Sequence, residues 1–160
     1  MKSPKSVQKA LSQAIAKLHN EERIEISEKP GNNLGSIYII ALDSGVWDCK
    51  KCSAKLGENY IGRQGFYIGY TMLLKMERIE QHAQGIKSSR VTKHHFQGWA
   101  DWIEPLAPDG YSLEKRLTEK SAKYLEQLVI PTALRVLGFA AYAGYKEELE
   151  DTLAGQRSNL

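Results

Sequence analysis

No uninterrupted apolar run in this chain approaches the length needed to cross a bilayer, so a hydrophobic membrane span is excluded. The opening stretch, MKSPKSVQKALSQAIAKLHNEER, has no apolar core followed by a small-residue cleavage site. A secretory signal is therefore not expected, and a cytoplasmic protein is. Cysteine is scarce: the only two are Cys49 and Cys52, in Cys49-Lys50-Lys51-Cys52. One pair falls short of the four ligands of a structural zinc site, and His94 and His95 lie far along the chain. Nor do the flanks resemble a strand-to-helix redox site. The pair reads as reduced and loop-borne, with zinc shared across a dimer as the alternative. A strong charge of one sign is also missing, since the net +3 says little about partners. No internal repeat exists beyond one doubled tripeptide, Tyr60-Ile61-Gly62 and Tyr67-Ile68-Gly69.

What is present fits one compact domain. The 160 residues suffice for a real core, and 42% hydrophobic with 26% charged residues is the balance of a globular protein. Val7, Ala10, Leu11, Ala14, Ile15 and Leu18 recur at three- and four-residue spacing, which predicts a helix opened by Ser3-Pro4. KPGNNLG is turn chemistry, and SIYIIAL, residues 36–42, is a buried strand. Residues 43–65 show no periodicity and several glycines, and read as a long hairpin excursion. FYIGYT resumes the strand pattern.

From Met72 the period changes. Leu73, Met76, Ile79 and Ala83 share one helical face, with Arg78 and His82 on the neighbouring one. FQGWADWIEPLAP reads as a further strand bearing Trp99 and Trp102. SLEKRLTEKSAKYLEQLVIPTALRVLG reads as a long helix or helix pair, split at Pro131 and ended by Gly138. The expected fold is an α/β (α+β) sandwich whose small, mainly antiparallel sheet has three strands. The expected organisation is an N-terminal helical extension over 1–28, a main domain over 29–145 with its insertion at about 43–65, and a polar tail over 146–160.

Ile37-Tyr38, the strand ending Tyr67-Ile68-Gly69-Tyr70-Thr71, Arg78 and His82 on the next helix, and a glutamate in a late apolar helix form a pattern that resembles the GIY-YIG nuclease family. YIGYTMLLKMERIEQH carries most of the resemblance. It selects Tyr67 over Tyr60, because only Tyr67 is followed by a helix bearing an arginine. For the family's acid it points to Glu126 in KYLEQLVI, with Glu114 and Glu119 as rivals. The long gap between the two tyrosines is similar to the arrangement in restriction endonucleases of the family.

The resemblance implies hydrolysis of DNA phosphodiester bonds with Mg²⁺ or Mn²⁺ held by Glu126. It implies Tyr38 as general base, Tyr67 positioning water or phosphate, and His82 assisting proton transfer. Arg78 offers a planar donor fork for phosphate oxygens. A phenol, with a pKa of about 10, needs help to act as a base near neutrality. Arg90 and Lys93 are candidates for that help or for DNA contact, and Lys87 belongs to the same basic stretch, KSSRVTKHH. The expected partner is double-stranded DNA, with no membrane association, and a homodimer suits cutting both strands of a symmetric site. Alternatives are a structure-specific repair or recombination nuclease, an inactive nucleic-acid-binding module of the same fold, and unrelated chemistry built on Cys49 and Cys52. Taken singly, Tyr38 and Tyr67 could equally be core aromatics of strands, and Arg78 with His82 a solvated helix face.

Overall fold

The computed structural model describes residues 3–143, apart from the side chain of Arg90; the expected polar tail over 146–160 lies outside the described residues. In chain order the elements are α1 (Pro4–Asn20), β1 (Ser36–Leu42), α2 (Lys50–Leu56), β2 (Gly65–Thr71), α3 (Lys75–Ala83), α4 (Arg90–His95), β3 (Phe96–Trp99), α5 (Glu119–Tyr124), α6 (Ile130–Val136) and β4 (Ala140–Ala143). Helix α1 begins where Ser3 accepts the Ser6 N–H and Pro4, which has no N–H to leave unpaired, fills the first turn. Its stripe of Val7, Leu11, Ile15 and Leu18 is buried. No helix among the described residues is long and apolar enough to cross a membrane.

Among the described residues the sheet has four strands in the order β3-β1-β2-β4. Strands β1 and β2 pair antiparallel from Ser36↔Thr71 to Leu42↔Gly65, and β3 pairs antiparallel with the other edge of β1. Strand β4 lies parallel to β2. The class is mixed α/β, and the three-stranded sheet is corrected to four mixed strands. The fourth strand, AAYA, has no β-branched residue to announce it, and its parallel pairing is made only after a crossover through distant chain. Both faces of the sheet are covered, so β1 is buried along its whole length. Ile37, Ile39 and Ala41 pack with α1, α5 and α6, while Tyr38, Ile40 and Leu42 face α2, α3 and α4.

Three further expectations change. The excursion between β1 and β2 is a hairpin connection, but it is built of helical turns: 3₁₀ turns at Ser44–Asp48 and Glu58–Tyr60 flank α2. The cysteine pair thus sits on a helix start, with Cys49 as its cap, and not in a loop. The strand read into FQGWADWIEPLAP stops at Trp99, and a 3₁₀ turn follows at Asp101–Ile103. Trp102 is half exposed, whereas the Trp99 indole donates to Glu104 at 2.6 Å. The late helix starts at Glu119, capped by Thr118, and changes to a π turn at Leu125–Val129 before α6. Pro131 stands in the first turn of α6, and Gly138, at φ +97°, closes it.

The buried face of α3 also differs from the apolar one in the sequence. Lys75, Ile79 and His82 point inward, while Leu73, Met76 and Ala83 are exposed. Two polar contacts overrule the hydrophobic pattern. Lys75 pairs with buried Glu104 at 2.9 Å, and His82 meets Tyr38. Glu104 also accepts the Ile39 N–H at 2.9 Å, where β3 no longer lines the edge of β1. Burial pushes the Glu104 carboxyl up, and the Lys75 ammonium and the Trp99 N–H oppose that rise.

Candidate active site

Tyr38 lies opposite Gly69 in the β1–β2 register, so both project to the α3 side of the sheet. The missing Cβ decides the geometry. A methyl on Gly69 would overlap the Cζ and Oη of Tyr38, so only glycine lets the phenol lie across β2. Two residues earlier, Tyr67 projects to the same face and pairs with Tyr142 of β4. The Tyr38, Tyr67 and His82 rings form a triangle, with His82 at 5.4 Å from the Tyr38 centroid and 5.5 Å from that of Tyr67. Burial holds the Tyr67 hydroxyl well above the usual phenol range, and the negative charges of Tyr38 and Glu126 would push the same way. Tyr67 therefore stays a phenol, with a proton to donate.

Both ring nitrogens of His82 have hydroxyl partners. Its Nδ1 is 3.0 Å from the Ser88 hydroxyl, which donates to the Ile86 carbonyl at 3.3 Å. If that proton goes to Ile86, Ser88 accepts from Nδ1–H, and Nε2, 2.7 Å from the Tyr38 hydroxyl, is free to accept its proton. Burial, then the Arg78 charge, lower the His82 pKa to about 4, so the ring is neutral near pH 7.

Arg78, one turn before His82, is held by main-chain oxygens. Its guanidinium donates to the Lys87 carbonyl at 2.9 Å, to the Ile86 carbonyl at 3.4 Å and to Gln81 Oε1 at 2.9 Å. No carboxylate pairs with it among the described residues. Its positive charge is therefore directed by neutral acceptors and remains available to an anion. Lys87 presents its carbonyl from a left-handed backbone at φ +48°.

Glu126 comes from the π turn. It is 1% exposed, which periodicity in an ordinary helix would not suggest. The wider turn buries Leu125 in the core beneath the sheet while Glu126 reaches the cleft. That cleft, about 510 Å³, is lined by Tyr38, Tyr67, Arg78, Lys87 and Glu126 together with Tyr70, Thr71, Gln81, Ser88 and Ser89. Among the described residues that line it, Glu126 is the one carboxylate. A hard divalent cation that takes oxygen ligands and keeps several waters fits this donor set: one carboxylate, two phenols and a polar opening.

Of the residues singled out in the sequence, Tyr38, Tyr67, Arg78, Glu126 and Lys87 meet at the cleft, and His82 stands directly behind Tyr38. Lys93 does not join them. It is exposed on α4, with its stem beside Gly85, so the side chain that touches the Tyr38 hydroxyl is His82 and not Lys93. Arg90 opens α4, and its side chain lies outside the described ones. The rival acids have other work: Glu119 pairs with Lys123 at 3.3 Å on the surface, and Glu114 accepts the Lys75 N–H. Tyr60 lies in the excursion, with Arg63 over its ring. Sequence reasoning missed Ser88 and Gln81. Gln81 sits three residues after Arg78 on one helix, a readable spacing, but Ser88 was masked by the cations around it. No family model, no curated protein and no solved structure matches this chain.

Proposed function

We propose that this chain is a divalent-metal-dependent endonuclease of the GIY-YIG kind, hydrolysing phosphodiester bonds of double-stranded DNA at specific sequences. The observation that carries the reading is the convergence of Tyr38, Tyr67, Arg78 and Glu126 on one cleft, with His82 Nε2 2.7 Å from the Tyr38 hydroxyl. In this reading Arg78 and Lys87 hold phosphate oxygens. Water attacks phosphorus, its proton passes to Tyr38 Oη, and the phenol proton passes to His82 Nε2. The P–O bond to the leaving oxygen breaks as the new one forms. Tyr67, which remains protonated, donates to the water or to a phosphate oxygen. Glu126 would hold Mg²⁺ or Mn²⁺, which supplies positive charge against the negative charge gathering on phosphate and leaving oxygen.

A neutral imidazole with a pKa of about 4 is a reluctant acceptor, and this is informative. One cause of that low value is the Arg78 charge, which a bound phosphate offsets. The base thus strengthens when substrate arrives.

The test is incubation of purified protein with supercoiled and linear plasmid, with Mg²⁺ added back after metal removal. Discrete fragments that require Mg²⁺ support the proposal. Random nicking, or cleavage of branched substrates alone, would sink the sequence-specific part of it. Intact DNA across several metals and sequences, with binding retained, would point instead to a binding module of this fold.

A further inference from the structure

His95 stands more than forty residues of chain beyond Cys49 and Cys52, yet the ligand atoms of all three lie within 4.8 Å of one another. We infer that these three side chains form a zinc site, distinct from the cleft, that ties the excursion between β1 and β2 to α4.

The sequence spacing supplies two donors on one side of a short helix start. Cys49 caps α2 with its sulfur facing the Cys52 N–H at 3.4 Å, a contact that favours a thiolate. His95 is delivered by the sheet. The Asp43 N–H, just after β1, donates to the His95 carbonyl at 2.9 Å, which fixes the end of α4 beside the excursion. The Asp43 carboxylate then takes His95 Nδ1 at 3.1 Å and also accepts the Gly45 N–H at 3.0 Å. This leaves Nε2 as the metal-binding nitrogen and supplies the carboxylate–histidine contact by which ligating imidazoles are oriented.

The geometry needs little adjustment. In tetrahedral zinc, with sulfur at about 2.3 Å and nitrogen at about 2.0–2.1 Å, donors stand roughly 3.5–3.8 Å apart. Since no two of the donor atoms are more than 4.8 Å apart, side-chain rotations that move them by about an ångström at most bring them to this spacing. Two thiolates and an imidazole select a soft or borderline ion such as Zn²⁺ over Mg²⁺ or Mn²⁺. Cys52 is buried, while Cys49 and His95 are only partly so, which leaves a solvent-facing fourth position that water would fill. The consequence is local order. The site would clamp α4, whose preceding residues Ser88 and Ser89 line the cleft. It stands whether or not that cleft cuts DNA.

The experiment uses the full chain, reduced, stripped of metal and reloaded. One zinc per chain should be taken up. Cobalt loading should give the thiolate-to-metal charge-transfer and visible bands of a tetrahedral sulfur-ligated ion, and thermal unfolding should move upward with zinc. His95→Gln and Cys49→Ser, at partly exposed positions, should each weaken zinc at least tenfold while keeping the folded circular-dichroism spectrum. Asp43→Asn, which removes only the orienting carboxylate, should weaken it about 10–100-fold without changing the cobalt bands. Failure to bind zinc or cobalt with both thiols titrating, or a Cys49–Cys52 disulfide that re-forms in air and resists metal, would overturn the inference. So would zinc binding that His95→Gln leaves unchanged.

Discussion

Tyr38 and Gly69 work as a pair, because the phenol occupies the space where any other residue on β2 would carry its side chain. Gly69→Ala should push the ring off His82, slowing cleavage about 10²-fold or more, for an overpacking cost of about 1–3 kcal/mol by urea unfolding. A Gly69→Ala protein that cleaves at the wild-type rate would contradict this. His82 makes a second prediction. Its pKa moves from 6.5 to about 4 on folding, so between those values the unfolded chain binds a proton that the folded chain does not. Its contribution to stability is full above about pH 6.5 and falls as pH drops toward 4. Urea midpoints measured from neutral to acid pH should fall more steeply for wild type than for His82→Gln. Parallel curves would refute the assignment. At this scale Tyr38, Tyr67, Arg78, His82 and Glu126 were legible only through the family resemblance, since periodicity alone makes Glu126 a surface carboxylate, and the structure brings the five together. Ser88 was not, since its part depends on the fold of one loop.

Helix α3 carries Arg78 and His82, and its placement rests on a polar anchor as much as on apolar burial. Lys75 meets Glu104 at 2.9 Å with both side chains buried, and Glu104 is held in turn by Ile39 and Trp99. Removing one partner leaves the other charge buried and uncompensated, at a cost of about 3–5 kcal/mol. Lys75→Met and Glu104→Gln should each destabilise toward that range, and the double variant should recover part of the loss. A double variant as unstable as the sum of the singles would show that the two do not act together. Elements followed the same division between local and distant causes. α1 and the two long strands announced themselves through caps, stripes and β-branched runs. α2 is too short to show a stripe, β4 is built mostly of alanine, and the inward face of α3 is set by Glu104 and Tyr38, far away in sequence.

At the scale of the whole molecule, two different sets of possible metal donors occupy separate places among the described residues. Oxygen donors line the cleft around Glu126, and sulfur and nitrogen donors meet at Cys49, Cys52 and His95. A chelator would strip both proposed ions, so loss of activity in EDTA alone would not separate them. Cleft walls come from both long strands, α3, the loop after it and the π turn, and this assembly explains why single residues said little while their joint spacing said more. The most direct measurement is single-turnover cleavage of end-labelled DNA in Mg²⁺ by zinc-loaded wild type and Glu126→Gln, with DNA binding followed in parallel. The account predicts that Glu126→Gln binds DNA nearly as wild type does and cleaves it at least about 10²-fold more slowly. Equal cleavage by the two proteins, or cleavage by wild type that needs no divalent ion, would contradict it.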